Sequence, residues 1–265
     1  MTSTIRRAGA WVEYALLFAA AFATSSPVAS AQGPWKVLFN GEDLSNFTIT
    51  AGGGRRGAPP PASDAPSAWQ LQKNVIFAEA KPGQRFGMMA TRESYFDFEL
   101  ELDFLLGEIA GVKCSEELGP NQENLSDPGC TANSGIQYRR GYQLNLGRRE
   151  GAEYIGLVGP RVDPQDPQSI RGLDPQSIRG RVLWLSYGDR AFPNLRKHQD
   201  WNTLRIAVQG DHHQAWLNGT KIVDVRYTSK LESEAAGRRP EPISLQTPHP
   251  VGATLQFRNI RVRPL

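Results

Sequence analysis

Phe96-Asp97-Phe98-Glu99-Leu100-Glu101-Leu102-Asp103-Phe104 alternates apolar and acidic residues without a break. Successive side chains of a strand point to opposite faces, so the five apolar residues share one face and the four acids the other. A helix would scatter both sets around its axis. The stretch is therefore a strand with one face in a core. Its acidic face reads as solvated, because four like charges would repel one another if buried. The same period recurs in 201–208, with Leu204, Ile206 and Val208 inward. Residues 213–217, then Asn218-Gly219, then 220–226 read as a hairpin closed by a tight Asn-Gly turn. Together these segments predict Phe98, Leu100, Leu102, Leu204, Ile206 and Trp216 in a core between two sheets.

Working outward, short strand patterns fill the chain: 35–39, 69–71, 75–78, 88–91, 134–138, 142–146, 182–185 and 243–246. In the last strand Leu255 and Phe257 are odd-numbered while Ile260 and Val262 are even, and that change of phase at Arg258-Asn259 predicts a β-bulge. No segment of helical period and length follows residue 31, apart from a turn near 231–236. About a dozen strands without helical crossovers mean antiparallel β, as a sandwich or barrel in one domain. Three insertions interrupt the pattern: a Gly/Pro/Ala-rich stretch at 51–67, a polar one at 107–132, and 160–181, where Asp-Pro-Gln-Ser-Ile-Arg-Gly occurs at 166–172 and again at 174–180. The duplication reads as a surface loop with Arg171 and Arg179 in solvent.

The start of the chain looks like a leader. Arg6 and Arg7 precede a mostly apolar run from Trp11 to Ala23, and Ala29-Ser30-Ala31 forms a small-residue cleavage signal. The run is shorter than the roughly 20 residues that span a bilayer, so stable membrane insertion is not expected. The expectation is a signal peptide over 1–31 and an exported domain over 32–265, secreted or periplasmic. Cys114 and Cys130, the only cysteines, then read as one disulfide closing a loop. A net charge of +3 with no basic run argues against nucleic acid as a partner.

The common nucleophile, zincin and phosphate-loop signatures are absent from the chain. What remains is polar residues alternating with core residues on strands. Gln137 and Arg139 oppose Ile136 and Tyr138, while Gln143 and Asn145 oppose Tyr142, Leu144 and Leu146. Guanidinium and carboxamide groups along a sheet face suit the hydroxyls of a sugar, and they equally suit a solvated outer face. His212, His213 and His249 add titratable groups that serve as acid, base or metal ligand.

Eight blocks in order resemble the 3-keto-disaccharide hydrolase domain family. They are Val37-Leu-Phe-Asn-Gly-Glu-Asp-Leu44, Tyr95-Phe-Asp-Phe-Glu-Leu100, Asn133-Ser-Gly-Ile-Gln-Tyr-Arg139, Gly141-Tyr-Gln143, Trp201-Asn-Thr-Leu-Arg205, Trp216-Leu-Asn-Gly219, Ile243-Ser-Leu-Gln246 and Phe257-Arg-Asn-Ile260. The resemblance implies an all-β, concanavalin A-like jelly-roll sandwich of two antiparallel sheets that acts on 3-keto-glycosides. A 3-keto group acidifies the C2 hydrogen, so a base there would start loss of the C1 substituent. On this reading His249, Arg139 and His213 are the catalytic candidates: Arg139 would leave the core, face the cleft and steady the enolate, and His249 would act as base or metal ligand. Asn133, Gln137, Gln143, Asn145 and Gln246 would bind substrate, and a divalent metal stays open as a cofactor. The family usually has Gly-Tyr-Glu-x-Gln where this chain has Gly141-Tyr-Gln-Leu-Asn145, and His where this chain has Ala215 before Trp216. A non-catalytic carbohydrate-binding module on the same fold is the alternative, and the sequence leaves oligomeric state open.

Overall fold

In a computed structural model of the chain, the described residues are 33–49, 67–82, 87–112, 132–139, 141–147, 155–165, 167, 171, 173, 175–179, 181–187, 200–229 and 238–265. The leader, Cys114, Cys130 and the segment 231–236 lie outside them, as does the insertion 51–67 but for its last residue. Strands follow one another from the N-terminal side as β1 (Lys36–Phe39), β2 (Phe47–Ile49), β3 (Trp69–Gln72), β4 (Val75–Glu79), β5 (Met88–Tyr95), β6 (Phe98–Ile109), β7 (Ser134–Tyr138) and β8 (Tyr142–Leu146). Then come β9 (Gly156–Val158), β10 (Ile178–Arg179), β11 (Val182–Tyr187), β12 (Asn202–Gln209), β13 (His212–Leu217), β14 (Thr220–Arg226), β15 (Glu241–Gln246) and β16 (Ala253–Pro264). All pairings among them are antiparallel.

One sheet runs β14-β13-β12-β6-β16-β4-β3, with β1 added alongside β16; the other runs β10-β11-β9-β8-β7-β15-β5-β2. Apolar faces from both meet in one core. Phe98, Leu100 and Leu102 stand opposite Val208, Ile206 and Leu204 on β12, and all six are buried with Ile136, Tyr142, Leu144 and Leu245 of the second sheet. The result is a β-sandwich of two antiparallel sheets, as the alternation predicts, of the concanavalin A-like jelly-roll kind that the resemblance implies. Asn218 and Gly219, at φ 49° and 87°, close the β13–β14 hairpin as a primed turn needs. The bulge in β16 is also present: Asn259 has φ 53°, and the register against β6 shifts between Arg258 and Arg261.

Two expectations about this first sheet fail for the same reason, which is lateral pairing. Trp216 does not enter the core. Leu217, Ala215 and His213 pair with Leu204, Ile206 and Val208, so the intervening Trp216 points outward, where Arg205 stacks on its ring at 4.4 Å. The acidic row is not a solvated face either. β6 lies between β12 and β16, and both neighbours present cations to it: Arg205 and Arg263 pair with Glu99, Arg261 with Glu101, and Arg258 with Asp103. Glu99 is only 2% exposed. A carboxylate buried to that degree is tolerated because two guanidinium groups and their hydrogen bonds replace its water. Trp35 and Trp201 cover arginines of the same row, Arg261 at 4.5 Å and Arg258 at 4.0 Å.

Three short strands escape the sequence pattern: β2, β9 and β10 hold two or three residues each, too few for a period to show. The duplicated segment is also not all loop. Its second copy forms a 3-10 turn, Pro175–Ser177, and then β10, which pairs with β11; Arg171 is exposed as expected. Among the described residues no helix is long and apolar enough to cross a membrane.

Candidate functional site

Strands β7, β8 and β15 each send alternate residues into the core: Ile136 and Tyr138, then Tyr142, Leu144 and Leu146, then Ile243 and Leu245. Pleating therefore turns Gln137, Gln143, Asn145, Ser244 and Gln246 to the opposite, outward face of the second sheet. Register lines them up laterally. Trp184, Val158, Gln143, Gln137, Ser244 and Ala90 stand opposite one another in turn across six strands, β11 to β5. The next row on the same face sets Asn145 between Gly156 and Gly135.

Four carboxamides meet there. Gln137 Nε2 donates to Gln143 Oε1 at 2.9 Å. Gln143 Nε2 donates to Asn145 Oδ1 at 3.0 Å and to Gln246 Oε1 at 3.1 Å. Gln143 is thus the hub of the cluster. Gly135 makes room for it: a Cβ at that position would lie 2.6 Å from both Cγ and Cδ of Gln143. Asn145 is buried, while Gln137, Gln143 and Gln246 stay partly open to solvent. The surface offers neutral donors and acceptors in fixed positions, which suits a polyhydroxylated, uncharged ligand.

Asn133 and His249 flank this cluster. Their backbones form a reciprocal pair, each N–H donating to the other's carbonyl at 2.9 Å. Ser134 Oγ donates to the Gln246 carbonyl at 2.6 Å and locks the start of β7 to the end of β15. His249 is partly exposed and lies three residues beyond Gln246, its backbone bridged to Asn133 just before β7.

Arg139 and His213 are elsewhere. Arg139 does not face the cleft: alternation stops at Tyr138, and Arg139 takes φ 41° as the chain turns towards Gly141. Its side chain is 1% exposed. Nε donates to the Phe96 carbonyl and Nη1 to the Gly210 carbonyl, each at 2.6 Å. Nη2 pairs with Asp97, and the guanidinium lies 4.0 Å above the Phe96 ring. Asp97 also accepts the Gly210 N–H at 3.0 Å. The fork therefore ties the β7–β8 turn to the β5–β6 connection between the sheets and to the β12–β13 turn of the first sheet. It is a clamp between the sheets.

His213 likewise belongs to the core, because its alternation follows Ala215 and Leu217. It is 1% exposed and packs against Tyr142 at 4.5 Å and Tyr138 at 5.9 Å between ring centroids. Tyr138 Oη lies 3.3 Å from Nδ1, while Nε2 is buried with no hydrogen bond of good geometry among the described residues. Burial, with the Arg139 charge nearby, lowers its pKa to about 4, so the ring is neutral at physiological pH. It cannot stand in for a histidine at position 215. Sequence reasoning missed Trp184, Ser244 and the close approach of the Gln143 side chain to Gly135; only the glycine in Asn133-Ser-Gly135 signalled the last. Among the described residues no three His, Cys, Asp or Glu side chains gather as a metal ion would require.

A family model described as the 3-keto-alpha-glucoside-1,2-lyase-like domain matches residues 34–263. No curated protein matches the chain in sequence. Among solved structures, the chain is similar to a candidate glycosyl hydrolase of Parabacteroides distasonis, at 16% identity and TM-score 0.47 over 88% of this chain and 94% of that one. It is also similar to carbohydrate-binding module CBM66 from Bacillus subtilis, at 11% identity and TM-score 0.45 over 81% and 93%.

Proposed function

We propose, from the premise that this chain belongs to the 3-keto-alpha-glucoside-1,2-lyase-like family, that the outward face of the second sheet binds a sugar oxidised at C3 and promotes loss of its C1 substituent. The convergence of Gln137, Gln143, Asn145 and Gln246, with the His249 backbone bridged to Asn133 just before β7, is the observation that carries this reading. The carboxamides hold hydroxyl and ketone oxygens. His249, in its neutral form, takes the proton from C2. As that C–H bond breaks, charge develops on the ketone oxygen, where amide N–H groups stabilise it. The C1–O bond then breaks, a C1=C2 double bond forms, and the leaving oxygen takes up a proton. Addition of water across the double bond completes a net hydrolysis.

Incubation of the protein with 3-keto-glucosides, with and without added divalent metal, tests the reading through release of the C1 alcohol. Release that falls at least tenfold in His249→Gln supports it; release unchanged in that variant removes His249 from the reaction. One observation favours a carbohydrate-binding module instead: the hub is Gln143, where the family usually carries a Glu. Tight sugar binding with no release would decide for that second reading. We further infer export, with the leader over 1–31 removed and Cys114 joined to Cys130.

A further inference from the structure

We propose that the outward face of the first sheet is a second binding surface, which takes an acidic polysaccharide with a carboxylate on each sugar through the guanidinium forks of Arg205 and Arg258. Both arginines are held in the same way. Arg205 gives its Nε hydrogen to Glu99, and its guanidinium stacks on the Trp216 ring at 4.4 Å. Arg258 gives its Nε hydrogen to Asp103 at 3.1 Å and stacks on Trp201 at 4.0 Å. A guanidinium held by Nε and stacked on a ring is fixed in plane but keeps its Nη1 and Nη2 edge. In neither arginine does that edge make a hydrogen bond to a described residue. It is the edge that pairs with both oxygens of a carboxylate. Stacking has already removed side-chain freedom that binding would otherwise cost.

Exposure decides which sign a ligand meets. The side chains of Arg205 and Arg258 are 42% and 40% exposed, whereas those of Glu99 and Asp103 beneath them are 2% and 15% exposed. The same carboxylates cancel the long-range field of the face, so a polyanion gains little from summed charge alone. Nucleic acid, whose non-specific binding rests on that sum, is therefore a poor fit. A ligand gains where two carboxylate oxygens meet one fork. Register then sets the spacing. Arg258 stands opposite Asp103, Asp103 opposite Thr203, and Arg205 lies two residues further along β12. Two strand spacings and one two-residue step put the two Cα atoms about 12 Å apart, too far for one sugar to serve both forks. A hollow of about 380 Å³, lined by Asn40, Asp103, Thr203 and Asn259 among others, adjoins the Asp103 pair. Asn259 donates from Nδ2 to Asp103 at 2.8 Å and keeps its oxygen, while Asn40 Oδ1 accepts the Glu42 N–H at 3.0 Å and keeps its NH2 group. The hollow thus offers an acceptor and a donor to the hydroxyls of the same chain.

Calorimetry with a linear decagalacturonate, with galacturonate itself and with a neutral maltodextrin of equal length tests the proposal. Wild type should bind the decamer about tenfold or more tighter than either of the others, because one acidic chain engages both forks. Arg205→Lys and Arg258→Lys keep the charge and a partner for Glu99 and Asp103 but lose the fork. Each should weaken the decamer about fivefold or more at an unchanged melting temperature. Arg258→Lys, on the more open pair, carries the test if Arg205→Lys folds poorly. Wild type that does not bind the decamer, equal binding of the maltodextrin, or affinity unchanged in both Lys variants overturns the proposal. So does an oligodeoxythymidylate of equal charge that binds as tightly as the decamer. The carboxamide face lies on the other sheet, so each of these results leaves its reading as it stands.

Discussion

His213 is buried and neutral inside the sandwich, and that makes the fold sensitive to mild acid. In the unfolded chain the ring titrates near 6.5, whereas in the folded chain its pKa is lowered to about 4, first by burial and then by Arg139. The unfolded state therefore takes up the proton first. Stability from this group is complete above 6.5 and falls as the pH drops from 6.5 to 4, by about 3 kcal/mol in full and about 2 kcal/mol by pH 5. A hydrogen bond with the Tyr227 backbone, and then the charge of Asp211, act the other way, and His212 adds a little to the lowering. His213→Phe keeps a flat ring between Tyr138 and Tyr142 and removes the titration. Urea denaturation of both proteins at pH 7.5 and pH 5 is the assay. Wild type should lose about 2 kcal/mol more than the variant across that interval. Groups common to both proteins cancel in the comparison. Equal losses would refute the reasoning and mean that the ring finds a partner or water when it is protonated.

Other perturbations separate the clamp from the site. Arg139→Lys keeps the charge but cannot reach Phe96 O, Gly210 O and Asp97 together, so chemical denaturation should show a loss of about 2–4 kcal/mol while the affinity for sugar stays as in wild type. Gly135→Ala should do the reverse: the added Cβ displaces the Gln143 side chain, and calorimetry with a 3-keto-glucoside should show at least a tenfold weaker complex at a nearly unchanged melting temperature. Glu99→Gln leaves Arg205 and Arg263 without their shared carboxylate and should cost about 2–3 kcal/mol, with salt reducing the difference from wild type. Thiol titration of the exported protein under denaturing, non-reducing conditions should find no free thiol; two free thiols would end the disulfide proposal.

The fold was legible wherever one face of a strand meets the core, because burial imposes a period of two that survives in a single sequence. Residues 134–138 and 142–146 match β7 and β8 end to end. Trp216 shows where this reading stops. Its bulk suggests a core residue, but the phase of β13 is set by Ala215 and Leu217, and only the partner strand shows which set is inward. Glu99 fails for a related reason: its cations lie 106 and 164 residues away, on strands whose adjacency the local pattern does not carry. At the site, alternation placed Gln137, Gln143 and Asn145 on one face, the resemblance named Gln246 with them, and the structure joins it to Gln143 through the neighbouring β15. Arg139 was misread because the alternation was carried one residue too far, past the point where the chain turns with positive φ.

The central claim is that the carboxamide face of the second sheet is where sugar binds, and side-chain amide resonances test it directly. The protein, labelled with nitrogen-15, would be titrated with a methyl 3-keto-glucoside, with each NH2 pair assigned by single Gln→Met or Asn→Leu variants. The account predicts that the NH2 signals of Gln137, Gln143, Asn145 and Gln246 shift together along one saturable curve. Saturation by the sugar with those four signals unmoved, and with shifts gathered on the β12–β6–β16 face instead, would contradict it.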